Sequence, residues 1–208
     1  IVQNKLANLS FLAKNMTEEP LSEAAFSLEG GRILGYDMLA SPADPVYSIN
    51  SEYQTEINGR KIFEGVSPGE FFIAGIVPPS SHTFVGTEVS GGYKFNDGRY
   101  NFIATPEEKK DISLKFADNA INSVLVRVSN SLDGSMLGGA KVMLSNNDGY
   151  SQELTTTDDG LAFFFSADQP MAIGIYDLKV VLDGYAEYDS EIEITEGLKD
   201  SEAKLIAN

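Results

Sequence analysis

The alternation of apolar and polar positions predicts β-strands through most of this chain of 208 residues. Val124, Val126 and Val128 share one side of an extended segment, while Leu125 and Arg127 lie on the other. The same period of two recurs at Ala140, Val142 and Leu144, and again at Tyr176, Leu178 and Val180. Clusters of Gly, Pro, Asn and Asp break the chain about every 8 to 12 residues, a spacing typical of an all-β sandwich.

One sequence signature occurs twice. The stretch TEINGRKIF begins at Thr55 and TTDDGLAFF begins at Thr156, so that Gly160 follows Gly59 by 101 residues. A signature repeated at domain spacing predicts two copies of one module. We therefore expect a first β-sandwich over residues 24–118 and a second over 119–208, with the linker near Asp118.

The Asp-Gly and Asn-Gly pairs in these signatures favour tight hairpin turns, because Gly adopts positive φ angles readily. In the second copy, the strand that leaves the turn would point Leu161, Phe163 and Phe165 into the core. Earlier in the chain, Gly30 and Gly31 favour a bulged strand over a helix.

The amino-terminal segment, residues 1–23, shows a different period and predicts an amphipathic helix over residues 1 to 19 that ends before Pro20. We consider two roles for its apolar stripe equally: association with copies of the same chain, as in a coiled coil, or packing on the first sandwich. The candidate assembly face comprises Val2, Leu6, Leu9, Ala13 and Met16. The predicted fold class is thus mostly β, an N-terminal helix followed by two tandem Ig-like or transthyretin-like β-sandwich domains.

Charge and composition narrow the possible partners. The formal net charge of −16 disfavours nucleic acid and anionic membranes, which need clustered Lys and Arg. The absence of Cys excludes disulfides, thiol nucleophiles and Cys-ligated metals. No run of 18 apolar residues is present, so we expect membrane contact only through a segment upstream of Ile1.

Candidate catalytic and metal-binding residues are few. His82 is the only His, and a single loop His is more often a surface residue than a catalytic base. Asp189, Glu191 and Glu193 alternate along one strand; they would suit Ca²⁺, but a solvated edge strand explains them better. We predict no catalytic residue, no cofactor and no metal. Four tyrosines are candidates for a sugar-binding platform: Tyr93, Tyr100, Tyr150 and Tyr185.

From Ser123 onwards the chain resembles the carboxypeptidase regulatory-like domains, which are small transthyretin-like sandwiches. The resemblance rests on VLVRVSNSLDGSMLGGAKVMLSN, TTTDDGLAFF and GIYDLKVVLDGYAEYDSEIEI. The first half carries diverged counterparts in the same order. The resemblance implies a sandwich of seven or eight strands and a non-catalytic role as a spacer, stabilising appendage or adhesive stalk.

Two further resemblances concern surface proteins. The second module is similar to Cna type B stalk domains, but Ser129 stands where that family places its reactive Lys. Because a Ser hydroxyl cannot form the amide, we predict no isopeptide crosslink there. At the amino end, NKLANLSFLAKN followed by LSEAAFSLEGGRIL resembles the segment after the transmembrane part of pilin-like proteins.

The sequence therefore predicts a non-enzymatic extracellular structural or adhesive protein, a cell-surface or pilin-like filament subunit that associates with copies of itself through the N-terminal helix. The alternative is a secreted module that binds a surface ligand or glycan and assists an enzyme. A carboxylate-rich hydrolase is the third possibility, since paired carboxylates can hydrolyse sugars without any His.

Overall fold

A computed structural model describes residues 5–37, 44–166 and 171–208 of the chain. Over these ranges the secondary structure is β throughout, and sixteen strands form four sheets. No helix long and apolar enough to cross a membrane occurs in the described ranges. The strands are β1 (Ala7–Asn15), β2 (Ala25–Asp37), β3 (Asp44–Gln54), β4 (Arg60–Val66), β5 (Gly69–Val77), β6 (His82–Val89), β7 (Lys94–Asn96), β8 (Arg99–Ala104), β9 (Lys109–Asp118), β10 (Ser123–Asn130), β11 (Lys141–Ser145), β12 (Ser151–Thr155), β13 (Leu161–Phe164), β14 (Gly174–Val181), β15 (Tyr188–Ile194) and β16 (Leu198–Leu205).

The chain divides into two compact units. Unit 1 comprises Ile1–Ser80 and Thr87–Phe116, and unit 2 comprises Ser81–Gly86 and Ala117–Asn208. The change of unit along the chain thus comes at Ala117, whereas β6 contributes residues to both units.

Unit 1 is built from two sheets. One has the strand order β4-β1-β9-β6 and the other β3-β2-β5-β8-β7. Their inner faces are apolar because alternate residues of each strand turn inward, which removes rings such as Phe11 and Phe26 from solvent. These two rings stack with their centroids 4.4 Å apart. Phe71 and Phe102, from β5 and β8, stack at 5.6 Å.

Unit 2 repeats this plan with fewer strands. Its sheets have the orders β13-β10-β16 and β12-β11-β14-β15, so β10 corresponds to β1 and β16 to β9. The alternating runs predicted from the sequence are confirmed. Their inward residues form one buried core: Val124, Val126, Val128, Ala140, Val142, Leu144, Tyr176, Leu178 and Val180.

The predicted N-terminal helix is wrong. Residues 7–15 form β1, which pairs with β4 on one side and with β9 on the other. Leu9, Phe11 and Ala13 are fully buried. The apolar residues that repeat every two positions therefore determine the structure, and the weaker repeat of apolar residues near every four positions does not. The helical stripe left out Phe11, the largest apolar side chain of the segment, and burying this ring requires the strand.

The repeated signature forms a turn between the two sheets of each unit. Gly59 and Gly160 have φ angles of 70° and 71°, as predicted for Gly at a tight turn. The hairpin itself is wrong, because the turn leads from β3 to β4 and from β12 to β13, which belong to different sheets. Phe164 is the fully buried ring of β13, whereas Phe163 and Phe165 are half-buried.

A buried threonine fixes this turn identically in both units. Thr55 Oγ1 accepts the N–H of Ala24 at 3.1 Å and donates to the carbonyl of Leu21 at 3.0 Å. In unit 2, Thr156 Oγ1 accepts from Ala140 at 2.9 Å and donates to Leu137 at 2.8 Å. In each unit, the threonine therefore ties the loop between the first and second strands to the turn. It also satisfies buried backbone groups.

The bulge predicted at Gly30 and Gly31 is confirmed. The register of β2 against β3 shifts between Gly30 and Ile33. A Cβ at Gly30 would lie 2.4 Å from the carbonyl oxygen of Glu70, so the close approach of β5 requires glycine at this position.

Candidate functional site

The first and last strands of each unit lie side by side and run in the same direction. β1 pairs with β9 over eight register positions, from Asn8 opposite Lys109 to Asn15 opposite Phe116. β10 pairs with β16 over eight positions as well, from Ser123 opposite Leu198 to Asn130 opposite Leu205. We call these the terminal-strand pairs of units 1 and 2.

This geometry determines how tension along the chain would load each unit. Because the two strands are parallel, the chain enters at one end of the pair and leaves at the other. Opposed forces on entry and exit therefore act along the strands and shear the backbone hydrogen bonds together. In an antiparallel terminal pair, the same forces would break these bonds one after another.

Each terminal-strand pair is anchored by its inner face. In unit 1, Leu9, Phe11 and Leu114 are fully buried. In unit 2, Val126 and Ala203 are equally buried. Sliding one strand past the other would move these side chains out of the core, so apolar burial opposes shear in addition to the hydrogen bonds.

A cleft of about 360 Å³ opens on unit 1. In its lining, the amide of Asn101 donates to Glu70 Oε1 at 2.7 Å, and the ammonium of Lys110 contacts Glu108 Oε1, outside the lining, at 2.7 Å. The residues around the cleft are Glu70, Gly91, Gly92, Tyr93, Lys94, Asn101, Phe102, Ile103 and Lys110.

The Lys110 ammonium is the most buried charge at this cleft, since the residue is 5% exposed. It donates to the carbonyl of Ser90 at 2.9 Å in addition to its ion pair with Glu108. A Cβ at Gly91 would lie 3.2 Å from this nitrogen, so glycine leaves room for the ammonium. The hydrogen bond from Lys110, followed by that from the Thr105 N–H, lowers the pKa of Glu108 to about 2.

The residues of the predicted assembly face do not share a surface in the described structure. Leu9 and Ala13 are fully buried in unit 1, Met16 is half-buried, and Leu6 is 47% exposed. Val2 lies outside the described residues. Because the predicted helix is a strand, association of copies through an N-terminal helix is no longer proposed. Association of copies through another surface stays a prediction.

The other candidate residues are placed as follows. His82 is half-buried at the start of β6. Asp189, Glu191 and Glu193 are exposed on β15, an edge strand. Lys179 lies opposite Asp189 across the strand pair and its ammonium contacts Glu187 at 2.6 Å. In the described part of the chain, no three metal-binding side chains are grouped as a metal site.

The candidate tyrosines serve mainly in packing. Tyr100 is buried, and its ring meets that of Tyr93 edge to face at 5.3 Å. Tyr93 borders the cleft of unit 1 and is half-buried. Tyr150 lines a second cleft of about 280 Å³ in unit 2, where burial raises the pKa of its hydroxyl. Tyr185 is half-buried beside a bridge to Ala207.

Comparison with known proteins gives only weak matches, all of them to solved structures. No family model matches the chain, and no curated protein does. The chain is similar to the Bacillus anthracis TIE protein, with 15% identity, 98% of this chain and 34% of that chain covered, and a TM-score of 0.38. It is similar to a Streptococcal ancillary pilin, with 13% identity, coverages of 100% and 64%, and a TM-score of 0.39.

A third similar structure is GBS52, the minor pilin of Streptococcus agalactiae, with 12% identity, coverages of 97% and 96%, and a TM-score of 0.34. The chain thus spans about a third of the TIE protein and under two thirds of the ancillary pilin.

Sequence reasoning missed both the terminal-strand pairs and the cleft. In unit 1 the terminal-strand pair joins residues 101 positions apart, such as Asn8 and Lys109. No local sequence pattern indicates which distant strands pair with each other. A usable signal was present, since the alternation Leu9, Phe11, Ala13 matches that of Ile112, Leu114, Phe116.

Proposed function

We propose that this chain is a non-enzymatic extracellular structural or adhesive protein, a pilin-like subunit of a surface or filament assembly that carries tension. The observation behind the proposal is the parallel terminal-strand pair found in both units. A surface stalk or filament experiences tension along its backbone, and a unit loaded in shear resists unfolding better than one that is peeled.

The order of strands along the chain supports this role. β9 ends at Asp118 and β10 begins at Ser123, so tension passes from the last strand of one terminal pair to the first strand of the next through a short connection. The proposal includes placement of both units in the transthyretin-like class that the sequence resembles, and self-association as the mode of assembly.

Force spectroscopy on unit 2 of the whole chain tests the proposal. Because the native sequence has no Cys, pairs of introduced cysteines define the pulling points. Ala120→Cys with Asn208→Cys pulls β10 and β16 from opposite ends and loads the pair in shear. Ala120→Cys with Glu196→Cys pulls both strands from the same end and peels them apart, since Leu198 lies opposite Ser123.

We expect the unfolding force in the shear arrangement to be several times that in the peeling arrangement, because forced unfolding follows the barrier along the pulled direction. All three cysteine positions are exposed, so both variants keep the same core. Equal forces in the two arrangements would remove the mechanical argument. A hydrolytic activity lost on mutating one carboxylate pair would contradict the non-enzymatic part.

A second candidate function is binding of a surface ligand or glycan, which the cleft on unit 1 favours. Its lining combines two aromatic rings, a carboxylate, an amide and two ammonium groups, a set suited to hydroxyl-rich ligands. Titration of a glycan panel, observed by NMR, tests this function. Shifts confined to the cleft and abolished by Tyr93→Ala, but not by Tyr185→Ala in unit 2, are expected if the cleft binds sugars.

A further inference from the structure

A row of side chains crosses the outer face of the five-stranded sheet of unit 1, from one edge strand to the other. Each member is the register partner of the next, and register partners project from the same face of an antiparallel sheet. Neighbouring strands lie about 4.8 Å apart, so the row spans about 19 Å. We call it the crossing row; from β3 to β7 its members are Asn50, Glu29, Phe72, Asn101 and Lys94.

The centre of the crossing row is aromatic. The ring of Phe72 lies 5.9 Å from that of Tyr47, and the guanidinium of Arg99 lies 4.8 Å above the Phe72 ring. Both rings are half-buried, so each keeps part of its surface open to solvent. Burial, followed by the charges of Glu29 and Glu70, raises the pKa of the Tyr47 hydroxyl. The two rings and both carboxylates therefore share the outer face.

Hydrogen-bonding groups of both signs surround the rings. Arg99 Nη1 contacts Glu29 Oε2 at 3.7 Å, and the amide of Asn101 donates to Glu70 Oε1 at 2.7 Å. Together with Lys94 these groups carry two negative and two positive charges, which cancel, although the whole chain has a net charge of −16. Such a surface offers donors and acceptors without a net charge, which fits a neutral hydroxylated ligand better than an ion.

The buried threonines align the two units and locate the equivalent row in unit 2. Asn50 lies five residues before Thr55, and Ser151 lies five residues before Thr156. Register partners then continue from Ser151 across all four strands of its sheet. The members of this row are Ser151, Ser145, Asp177 and Glu191.

The two equivalent rows differ in their chemistry. Asp177 is exposed and stands where unit 1 has Phe72, and Glu191 stands where unit 1 has Asn101. The row of unit 2 thus consists of hydroxyl groups and carboxylates, the usual composition of a solvated surface. Because the sandwich forms without a ring at this position, the packing of the fold does not account for Phe72.

We propose that the crossing row binds a neutral, hydroxyl-rich sugar chain that lies across the strands. The strand spacing is close to the length of one sugar residue in an extended chain, so the row has room for about four residues. The C–H faces of the sugar rings would stack on Tyr47 and Phe72. Their hydroxyls would exchange hydrogen bonds with Glu29, Asn101 and Lys94.

The position of the row on the sheet disfavours an added peptide strand as the ligand. β2, β5 and β8 are each paired on both sides, so their backbone donors and acceptors are used within the sheet. A ligand at the centre of the row therefore meets side chains alone. This arrangement suits a sugar chain and does not allow strand addition there.

This inference rests on the second candidate function, since Asn101 and Lys94 also line the cleft of unit 1. It extends the binding surface from the cleft to the opposite edge of the sheet and specifies a chain in place of a single sugar. Tyr93 lines the cleft, whereas Tyr47 contacts the centre of the row and does not line the cleft. Variants at these two residues therefore separate the two hypotheses.

Titration of the whole chain with oligosaccharides, observed by NMR, tests the proposal. The probes are linear neutral oligomers of glucose, galactose, mannose and N-acetylglucosamine, each from one to six residues long. For the preferred sugar we expect the affinity to rise about tenfold or more between one and four residues. It should then level off, because further residues extend beyond the row.

Two variants of the row and one control measure the role of the rings. Phe72→Ala and Tyr47→Ala should each weaken binding of the hexamer about tenfold, since truncating a central aromatic residue is costly at a binding surface. Tyr47→Phe keeps the ring and should bind nearly as well as the native chain. Asp177→Ala, at the position of unit 2 equivalent to Phe72, should leave the affinity unchanged. Circular dichroism confirms folding, and Tyr47→Ala carries the test if Phe72→Ala does not fold.

The possible failures of the two hypotheses differ. If no oligosaccharide binds with a dissociation constant below about 1 mM, both are wrong. If Tyr93→Ala abolishes binding while chain length, Phe72→Ala and Tyr47→Ala leave it unchanged, the cleft binds sugars and the crossing row is overturned. If the row variants weaken binding and Tyr93→Ala does not, the crossing row binds the chain without the cleft.

Discussion

The two units show which parts of the sandwich are constrained and which are free to vary. The turn into the fourth strand of each unit, β4 or β13, is held by the same hydrogen bond in both units. The N–H of Ala13 donates to the carbonyl of Gly59 at 2.8 Å, and the N–H of Val128 donates to the carbonyl of Gly160 at 2.8 Å. The hairpin before it differs most, with strands of thirteen and eleven residues in unit 1 and of five in unit 2. The difference shows that the fold depends on the crossing between sheets and tolerates extension at an edge.

A second difference lies on the first strand. Isolated bridges from Lys14 to Pro20 and from Ser129 to Met136 occupy equivalent places. The ammonium of Lys14 contacts Glu18 at 2.5 Å, whereas Ser129 Oγ is a buried oxygen without a hydrogen-bond partner in the described structure. Unit 1 therefore satisfies this position with an ion pair, and unit 2 leaves a polar group unpaired there.

The largest expected effect comes from adding a methyl group at the shared turn. In Gly59→Ala and Gly160→Ala, the new Cβ would lie 2.7 Å from Ala13 O and 2.6 Å from Val128 O. Because these are backbone atoms and φ is positive, each variant should lose about 3 kcal/mol or more of unfolding free energy. Hydrogen exchange resolved by peptide reports the loss in the mutated unit.

Gly134→Ala is the control for backbone conformation alone. Its φ of 73° matches that of the turn glycines, but a Cβ there would meet nothing within 4 Å. This variant should lose about 1–2 kcal/mol. Equal losses for Gly134 and Gly160 would mean that the close approach of backbone atoms at the turn does not matter.

Replacing either of the two buried threonines should lower the unfolding free energy by a smaller amount, which should be equal in the two units. Thr55→Val and Thr156→Val each remove a hydroxyl that serves two backbone groups, and leave those groups unsatisfied. The loss should be about 1–3 kcal/mol in each unit, measured by denaturant unfolding with exchange as the unit-specific probe. Thr→Ser at both positions keeps the hydroxyl and should cost less. Unequal losses would break the equivalence of the two turns.

The smallest effect is the pH dependence that Glu108 adds to unit 1. The pKa of Glu108 falls from 4.5 to about 2 on folding, so the folded state binds a proton less readily than the unfolded state. The resulting stability is present above pH 4.5 and is lost as the pH falls towards 2. Because part of the side chain meets solvent, we expect on the order of 1 kcal/mol.

Unit 2 provides the internal reference for this titration. Gly197 is the residue of unit 2 that corresponds to Glu108. The N–H of Asn8 donates to the carbonyl of Glu108, and the N–H of Ser123 donates to the carbonyl of Gly197 in the same way. Acid unfolding followed by hydrogen exchange should show an extra loss in unit 1 that disappears in Glu108→Gln. If the unit 1 profile is unchanged by that substitution, the ion pair with Lys110 contributes nothing to stability.

The sequence predicted the repeat and most strands of unit 2, because these depend on local patterns. Val124, Val126 and Val128 alternate strictly, and the glycines of the two signatures occupy a backbone conformation that few other residues adopt. The amino-terminal strand was mistaken for a helix because its sequence fits both periods, and burial of Phe11 depends on β9, far along the chain. The cleft combines residues from 70 to 110, a grouping that only tertiary structure creates.

The terminal-strand pairs also impose an order of events on synthesis. The partner of Asn8 is Lys109, and the partner of Ser123 is Leu198, so neither unit can complete its first strand until its last strand is available. Contacts of such large sequence separation form slowly, because a long loop must close first. We therefore expect each unit to remain unfolded until its last strand has been synthesised, so that folding of a unit follows its translation.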